Sequence, residues 1–212
     1  EPLDKKWKIG ERPLTEKVNT IHNIDQKLYF IDVPGAKQSV IFVGKLVLSA
    51  SDASFNKLSF ANEILGGGSS GRLFQTLRIE KGYTYGAYSF VGESKEVSSF
   101  VAYSSVRANA TSASMEIIED LIRNYSITFT DEEVGITQNK LIKSNAGSYE
   151  SLSEKLSLLR NMSKYNKSLT YLEEDQNELM NMTLTDFRSV IDQYLVEDEM
   201  VYVVVGTTFF TY

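Results

Sequence analysis

The stretch Leu65-Gly66-Gly67-Gly68-Ser69-Ser70-Gly71-Arg72-Leu73-Phe74-Gln75-Thr76-Leu77-Arg78-Ile79-Glu80-Lys81-Gly82-Tyr83-Thr84-Tyr85-Gly86 decides how the rest of this 212-residue chain is read. Three consecutive glycines end whatever element precedes them, because a residue without Cβ takes backbone angles that others avoid. Ser69 and Ser70 can then cap a helix whose apolar stripe is Leu73, Phe74 and Leu77. Lys81-Gly82 closes that helix in the usual C-terminal manner. Tyr83 opens an aromatic and β-branched run that reads as a strand through Val91.

Gly66 to Gly71 also matches G-x-G-x-x-G literally, so a dinucleotide loop has to be weighed. Such a loop leaves a β-strand. Here Phe55, Leu58, Ala61, Asn62 and Leu65 recur at three- and four-residue steps behind the capping candidates Ser51 to Ser54, which predicts a helix instead. A P-loop fails as well, since Arg72-Leu73 stands where Lys-[Ser/Thr] is required. The run is best read as one helix's C-cap passing directly into the next helix's N-cap. Exposed N–H groups at a helix start can grip a peptide carbonyl or carboxylate, so Gly66, Gly67, Gly68 and Ser69 are candidate substrate-binding residues.

Outward from this stretch, Lys27 to Val33 and Ser39 to Leu48 are two β-rich runs joined by a Pro34-Gly35 turn signal, a leading hairpin. Tyr83 to Val91 and Ser99 to Val106 form a second hairpin across Gly92 to Glu96. Helical spacing dominates the second half: Ser112 to Tyr125, a capping-box start at Thr130 to Glu133 running to about Lys143, then Leu152 to Met162, Tyr171 to Met182 and Asp186 to Leu195. Met200 to Gly206 reads as a fully buried strand. Hairpin strands separated by blocks of helices predict an α+β fold, a mainly antiparallel sheet with helices on one face.

Composition narrows the chemistry. Lys+Arg 22 against Asp+Glu 28 gives a formal charge of −6, which argues against nucleic acid as a partner. The absence of cysteine removes thiolate nucleophiles and Cys-ligated zinc, and a single histidine, His22, excludes a two-His metal site built from this chain alone. His22 itself is expected to be a solvated or hydrogen-bonded residue, and Glu173-Glu174-Asp175 the dipole-favoured start of a helix. No stretch is apolar enough for a membrane span. Residues 1–20, with Pro2, Pro13 and Trp7, read as a linker or N-terminal arm that starts as if cut from something longer; 21–212 read as one domain. The lack of cysteine leans toward a bacterial envelope location.

The Leu65 to Gly86 text resembles the C-terminal, non-zinc half-domain of the pitrilysin/insulysin and mitochondrial-processing-peptidase family of inverted-zincin metallopeptidases. Shared features are Leu-Gly-Gly, a short spacer, Arg-Leu, Leu-Arg, then Lys-Gly, an aromatic or apolar residue and Thr-Tyr, and the resemblance extends over about residues 25–206. It implies that 21–212 is a peptidase-family C-terminal domain facing a homologous domain that holds zinc through H-x-x-E-H, a motif this chain lacks. It also implies that Arg78 and Tyr85, seven residues apart, are catalytic, donating to the peptide carbonyl and its oxyanion. The expected partners are the zinc-bearing domain, fused or separate, and a peptide substrate; zinc belongs to the partner, with no cofactor in this chain. An alternative is a catalytically inactive scaffold or peptide-binding subunit, because the family includes members that have lost catalysis.

Overall fold

The computed structural model describes residues 27–146 and 150–207. The arm at residues 1–20, with Trp7, and His22 lie outside the described residues.

Five strands form one mixed, mostly antiparallel sheet in the order β1-β5-β2-β4-β3. They are β1 (Leu28–Asp32), β2 (Gln38–Val47), β3 (Thr84–Val91), β4 (Ser98–Arg107) and β5 (Val201–Gly206). β3–β4 is the hairpin the sequence predicts, and β2 pairs antiparallel with β4 from Gln38↔Arg107 to Val47↔Ser98. The first two strands do not form a hairpin. β5 lies between them, antiparallel to β2 and parallel to β1, with Tyr29 opposite Val203 and Val203 opposite Phe42. The Pro34-Gly35 turn, with Gly35 at φ +79°, does reverse the chain. It spans two strand spacings, about 10 Å, rather than one. Turn chemistry is local and strand pairing is not, so the sequence shows the reversal but not the inserted strand.

Burial alternates along the sheet. Ser39, Ile41, Val43 and Val47 of β2, Phe100, Ala102, Ser104 and Val106 of β4, and Tyr202 and Val204 of β5 point into the core. Their neighbours point the other way, so β5 is buried on one face only rather than throughout. Helices cover the core face: α1 (Phe55–Gly66) packs on β3, and α3 (Thr111–Arg123) on β2 and β4. Behind these lie α4 (Tyr125–Thr128), α5 (Asp131–Ala146), α7 (Tyr171–Asn181) and α8 (Leu184–Tyr194), while α6 (Leu152–Tyr165) reaches the core edge through Tyr165. Leu58, Leu65, Leu77, Phe100, Ile118, Phe129, Phe187 and Val204 join in a single cluster, each worth about 2–3 kcal/mol of transfer free energy. The opposite face has no helical cover among the described residues. Tyr29, Val203, Phe42, Tyr103 and Tyr88 make one cross-strand row over it, with the Phe42 and Tyr103 rings 5.1 Å apart.

Candidate functional site

Helix α1 ends at Gly66, as the periodicity predicts, and the glycine there has a packing cause. A Cβ on Gly66 would lie 2.2 Å from the Ser89 nitrogen, and one on Gly71 would lie 2.8 Å from Gly66 Cα. Asn62 fastens the same contact: its amide donates to the Ser89 carbonyl at 3.0 Å, and the Ser89 hydroxyl donates to Asn62 Oδ1 at 2.6 Å. Gly66 therefore faces β3. The Gly67 carbonyl accepts from Lys140 Nζ at 2.8 Å, and the same ammonium pairs with Glu63 at 2.6 Å. Gly68 takes φ +144°, and Ser69 is exposed, its carbonyl bonded by Gln75 at 2.7 Å.

The following helix is not uniform. After one α-helical turn, α2 (Arg72–Phe74), residues Gln75–Glu80 adopt π-helix, in which each N–H reaches five residues back. Lys81 N–H donates to the Thr76 carbonyl at 3.0 Å in this way. Gly82, at φ +63°, then reverses the backbone, and Tyr83 N–H donates to the Leu77 carbonyl at 2.9 Å. Leu77 is buried, and Arg78, the next residue, is left at the surface side of the segment.

β3 begins with a bulge. Thr84 pairs with Val106 and Ala87 with Ser104, so three steps on β3 oppose two on β4. Thr84 is buried and holds the bulge: its hydroxyl bonds the Gly86 carbonyl at 2.8 Å and the Ser105 carbonyl at 2.6 Å, and accepts from Gly86 N–H at 3.0 Å. The extra residue lets Thr84 and Ala87 both face the core while Tyr85 projects outward, 83% exposed. Bulges commonly re-aim side chains beside functional sites. Thr84 is the supporting residue that sequence reasoning passed over; it was visible only as the Thr of Thr-Tyr.

Arg78 and Tyr85 meet. The guanidinium carbon of Arg78 sits 5.4 Å from the centre of the Tyr85 ring, within cation–π range. Both line a cleft of about 680 Å³ together with Lys37, Gln38, Gly82, Tyr83, Thr84 and Arg107. Gly66, Gly67, Gly68 and Ser69 do not line it. Arg107 stacks over Tyr83 at 5.1 Å, and three backbone bonds knit the walls: Arg107 N–H to Tyr83, Ala108 N–H to Lys37, and Tyr83 N–H to Leu77. Among the described residues none of Lys37, Arg78 and Arg107 has a carboxylate partner. No sequence pattern pointed to Lys37 or Arg107, because the β2–β4 register that joins them to Tyr85 is non-local.

The other end of the segment is bound to the helical layer. Arg72 grips Glu133 with two bonds, Nε to Oε1 at 2.8 Å and Nη2 to Oε2 at 2.7 Å, and reaches the Thr128 hydroxyl at 2.6 Å and its carbonyl at 2.8 Å. Glu133 also closes the capping box with Thr130 that the sequence predicts. Beneath Arg72 lies Tyr125, fully buried, its hydroxyl donating to the Ala61 carbonyl; burial pushes that phenol well above its ordinary pKa.

Residues that could hold a metal do not assemble here. No group of three or more His, Cys, Asp or Glu suited to an ion occurs among the described residues, and Glu174 instead accepts from Ser168 and Thr170 at the start of α7. This donor set does not fit zinc. No helix is long and apolar enough to cross a membrane among the described residues. A second hollow, of about 520 Å³, is walled by α6 alone and joins no two elements.

Comparison with known proteins gives a consistent answer. No curated protein sequence matches the chain. Among solved structures, a peptidase M16 inactive domain from Pseudomonas fluorescens superposes with TM-score 0.77 at 26% identity, covering 86% of this chain and 44% of that one. A protease from Helicobacter pylori gives TM-score 0.77 at 18% identity, covering 84% and 43%. The inactive peptidase domain of a Bordetella parapertussis protein gives 0.68 at 15% identity, covering 80% and 92%. The chain thus spans less than half the length of the first two. The sequence model described as the peptidase M16 inactive domain matches residues 3–141, more than half of the chain, and on that match the chain belongs to the peptidase M16 inactive-domain family.

Proposed function

We propose that this chain is the non-zinc half of a zinc metallopeptidase, and that it closes over a peptide and presents Arg78 and Tyr85 to the carbonyl that is cut. The observation behind this reading is their convergence: a π-helix, a left-handed glycine and a bulge together bring Arg78 within 5.4 Å of the exposed Tyr85 ring at one cleft. The guanidinium is a permanent cation with a fork of donors, and the phenol is a neutral O–H donor. Both suit a carbonyl oxygen and the negative charge that gathers on it when the carbon is attacked. In this reading zinc belongs to the other half; among the described residues no group of metal-ligating side chains assembles to hold it. Gly67, Gly68 and Ser69, at the far end of the segment, would guide the peptide backbone; Gly66 is committed to packing on β3.

That other half needs a seat. The helix-free sheet face, with exposed Phe42, Leu46, Tyr88 and Phe90, is the surface we assign to it. The Pseudomonas fluorescens and Helicobacter pylori chains, more than twice as long as the part matched here, supply room for a second domain of similar size.

The test is Tyr85→Phe in the assembled enzyme, whether its zinc half is fused or separate. Loss of one oxyanion donor should lower kcat by roughly ten- to a thousandfold with KM and thermal stability little changed. Full activity in the variant would remove the oxyanion role and leave this chain a scaffold or peptide-binding role beside its partner.

A further inference from the structure

The cleft holds more positive charge than an oxyanion donor pair needs. Lys37, Arg78 and Arg107 line it, no acidic residue does, and none of the three has a carboxylate partner among the described residues. This concentration occurs on a chain whose net charge is −6. Like charges held close together repel, and an anion placed among them relieves that repulsion.

The three cations come from separate elements held in fixed register. Gln38 and Arg107 are cross-strand partners on the helix-free face, and the backbone bond from Ala108 to Lys37 ties the residue before β2 to the residue after β4. The Tyr83 carbonyl receives Arg107 N–H, and the Tyr83 N–H in turn joins the end of the π-helix that carries Arg78. Both guanidiniums lie over tyrosine rings, Arg78 on Tyr85 at 5.4 Å and Arg107 on Tyr83 at 5.1 Å. A guanidinium stacked by its face keeps its N–H fork free at the edge, and that fork matches the two oxygens of a carboxylate.

Resting on the reading that this cleft takes a peptide, we infer that Arg107 and Lys37 form a carboxylate subsite beside Arg78 and Tyr85, selecting peptides that carry a negative charge next to the cut bond. The carboxylate is either an acidic side chain or the peptide's free C-terminus. Arg107 and Lys37 act in binding, and Tyr85 and Arg78 serve the carbonyl.

The assay uses the complete protein with both halves, stripped of zinc so that nothing is cut. Binding is followed by fluorescence anisotropy with matched acetylated peptides that differ only in Glu or Gln flanking the intended scissile bond, each as free acid and as C-terminal amide. The subsite predicts about ten- to a hundredfold tighter binding of a charged peptide than of its neutral match, weakening with added salt. A gain that follows Glu assigns the side chain, and a gain that follows the free acid assigns the terminus. Arg107→Gln combined with Lys37→Gln should bring the ratio close to one. Arg107→Lys should restore part of it. Equal binding of all four peptides, or a preference that survives the double change, overturns the subsite while leaving the peptide reading intact. Absence of binding by every peptide overturns both.

Discussion

Two arginines six residues apart, on one short segment, have opposite surroundings. Arg72 gives its fork to Glu133 and Thr128, stacks on buried Tyr125, and joins the glycine turn to the helical layer. Arg78 lies over the face of Tyr85 and has no carboxylate partner among the described residues. Residue type is the same, though one opens the α-helical turn and the other sits in the π-helix; what separates them chemically is whether the protein satisfies the donors itself. A cation fully consumed by its neighbours holds structure in place, and one left with idle donors at a cleft is available to something that is not yet bound.

The contrast can be broken by exchanging roles. Arg78→Ala should lower kcat/KM of the assembled enzyme more than a hundredfold and raise KM as well, yet leave stability within about 0.5 kcal/mol. Arg72→Ala strands Glu133 in a site where the two side chains are only 19% and 17% exposed. The expected loss is about 2–3 kcal/mol, below the full buried-pair figure because water still reaches the site. Thermal unfolding should register it as a drop of about 5–10 °C. Equal destabilisation by both changes would erase the distinction.

A smaller change sharpens it. Thr84→Val keeps size and burial but deletes the hydroxyl that bonds two carbonyls and one amide of the bulge. Stability should fall by about 1–2 kcal/mol, and kcat should fall with it because Tyr85 loses its aim. Thr84→Ser, which restores the hydroxyl, should recover most of the kcat; an unaltered kcat in the valine variant would detach the bulge from the site.

The smallest effect lies far from the cleft and serves as its control. Asp186 accepts from the Thr183 hydroxyl and amide, which holds its carboxyl below the ordinary 3.8. A carboxyl depressed in the folded state contributes stability above its unfolded pKa, and that contribution is lost as pH falls through the folded value. Acid titration of unfolding should therefore show a component below about pH 4 that shrinks in Thr183→Ala, which loses the hydroxyl but keeps the amide, a change costing about 1 kcal/mol at neutral pH and leaving peptide binding untouched.

Much of this architecture was legible because its causes are local. The period of α1, the capping box at Thr130 and Glu133, the β3–β4 hairpin and the stop at Gly82 follow from spacing, caps and turn residues, although no side chain caps α1 at Ser54 and the next helix starts after Gly71 without a cap from Ser69 or Ser70. The insertion of β5 between β1 and β2 was not legible, since nothing in Lys27 to Val33 records which strand will lie beside it. Nor was the site's shape. Arg78 and Tyr85 are seven positions apart, which on a continuous helix would put them on one face but two turns, about 10 Å, apart; the helical segment ends at Glu80 and Tyr85 stands on a strand, so no single period relates them. Three irregular steps bring them together, the π-turn, the left-handed Gly82 and the bulge, and the last depends on a partner distant in sequence, Ser105. Glycine density from Gly66 to Ser69 suggests a ligand, while packing accounts for two of the glycines in the run: Ser89 approaches Gly66, and Gly66 in turn approaches Gly71.

The π-helix at Gln75–Glu80 also sets how this segment can change length. A π-turn is an α-helix carrying one residue too many, and each residue turns an α-helix by about 100°. Removing a single residue between Gly71 and Gly82 would let the ladder relax to ordinary α-helix, a local gain in hydrogen-bond geometry. It would also swing the side chain at position 78 a quarter-turn or more away from Tyr85. Substitutions here are graded in their effects, whereas a one-residue deletion exchanges a better helix for a separated pair. The spacing between those two glycines is a fixed tally that a lineage using Arg78 and Tyr85 together has to preserve, even where the intervening side chains drift.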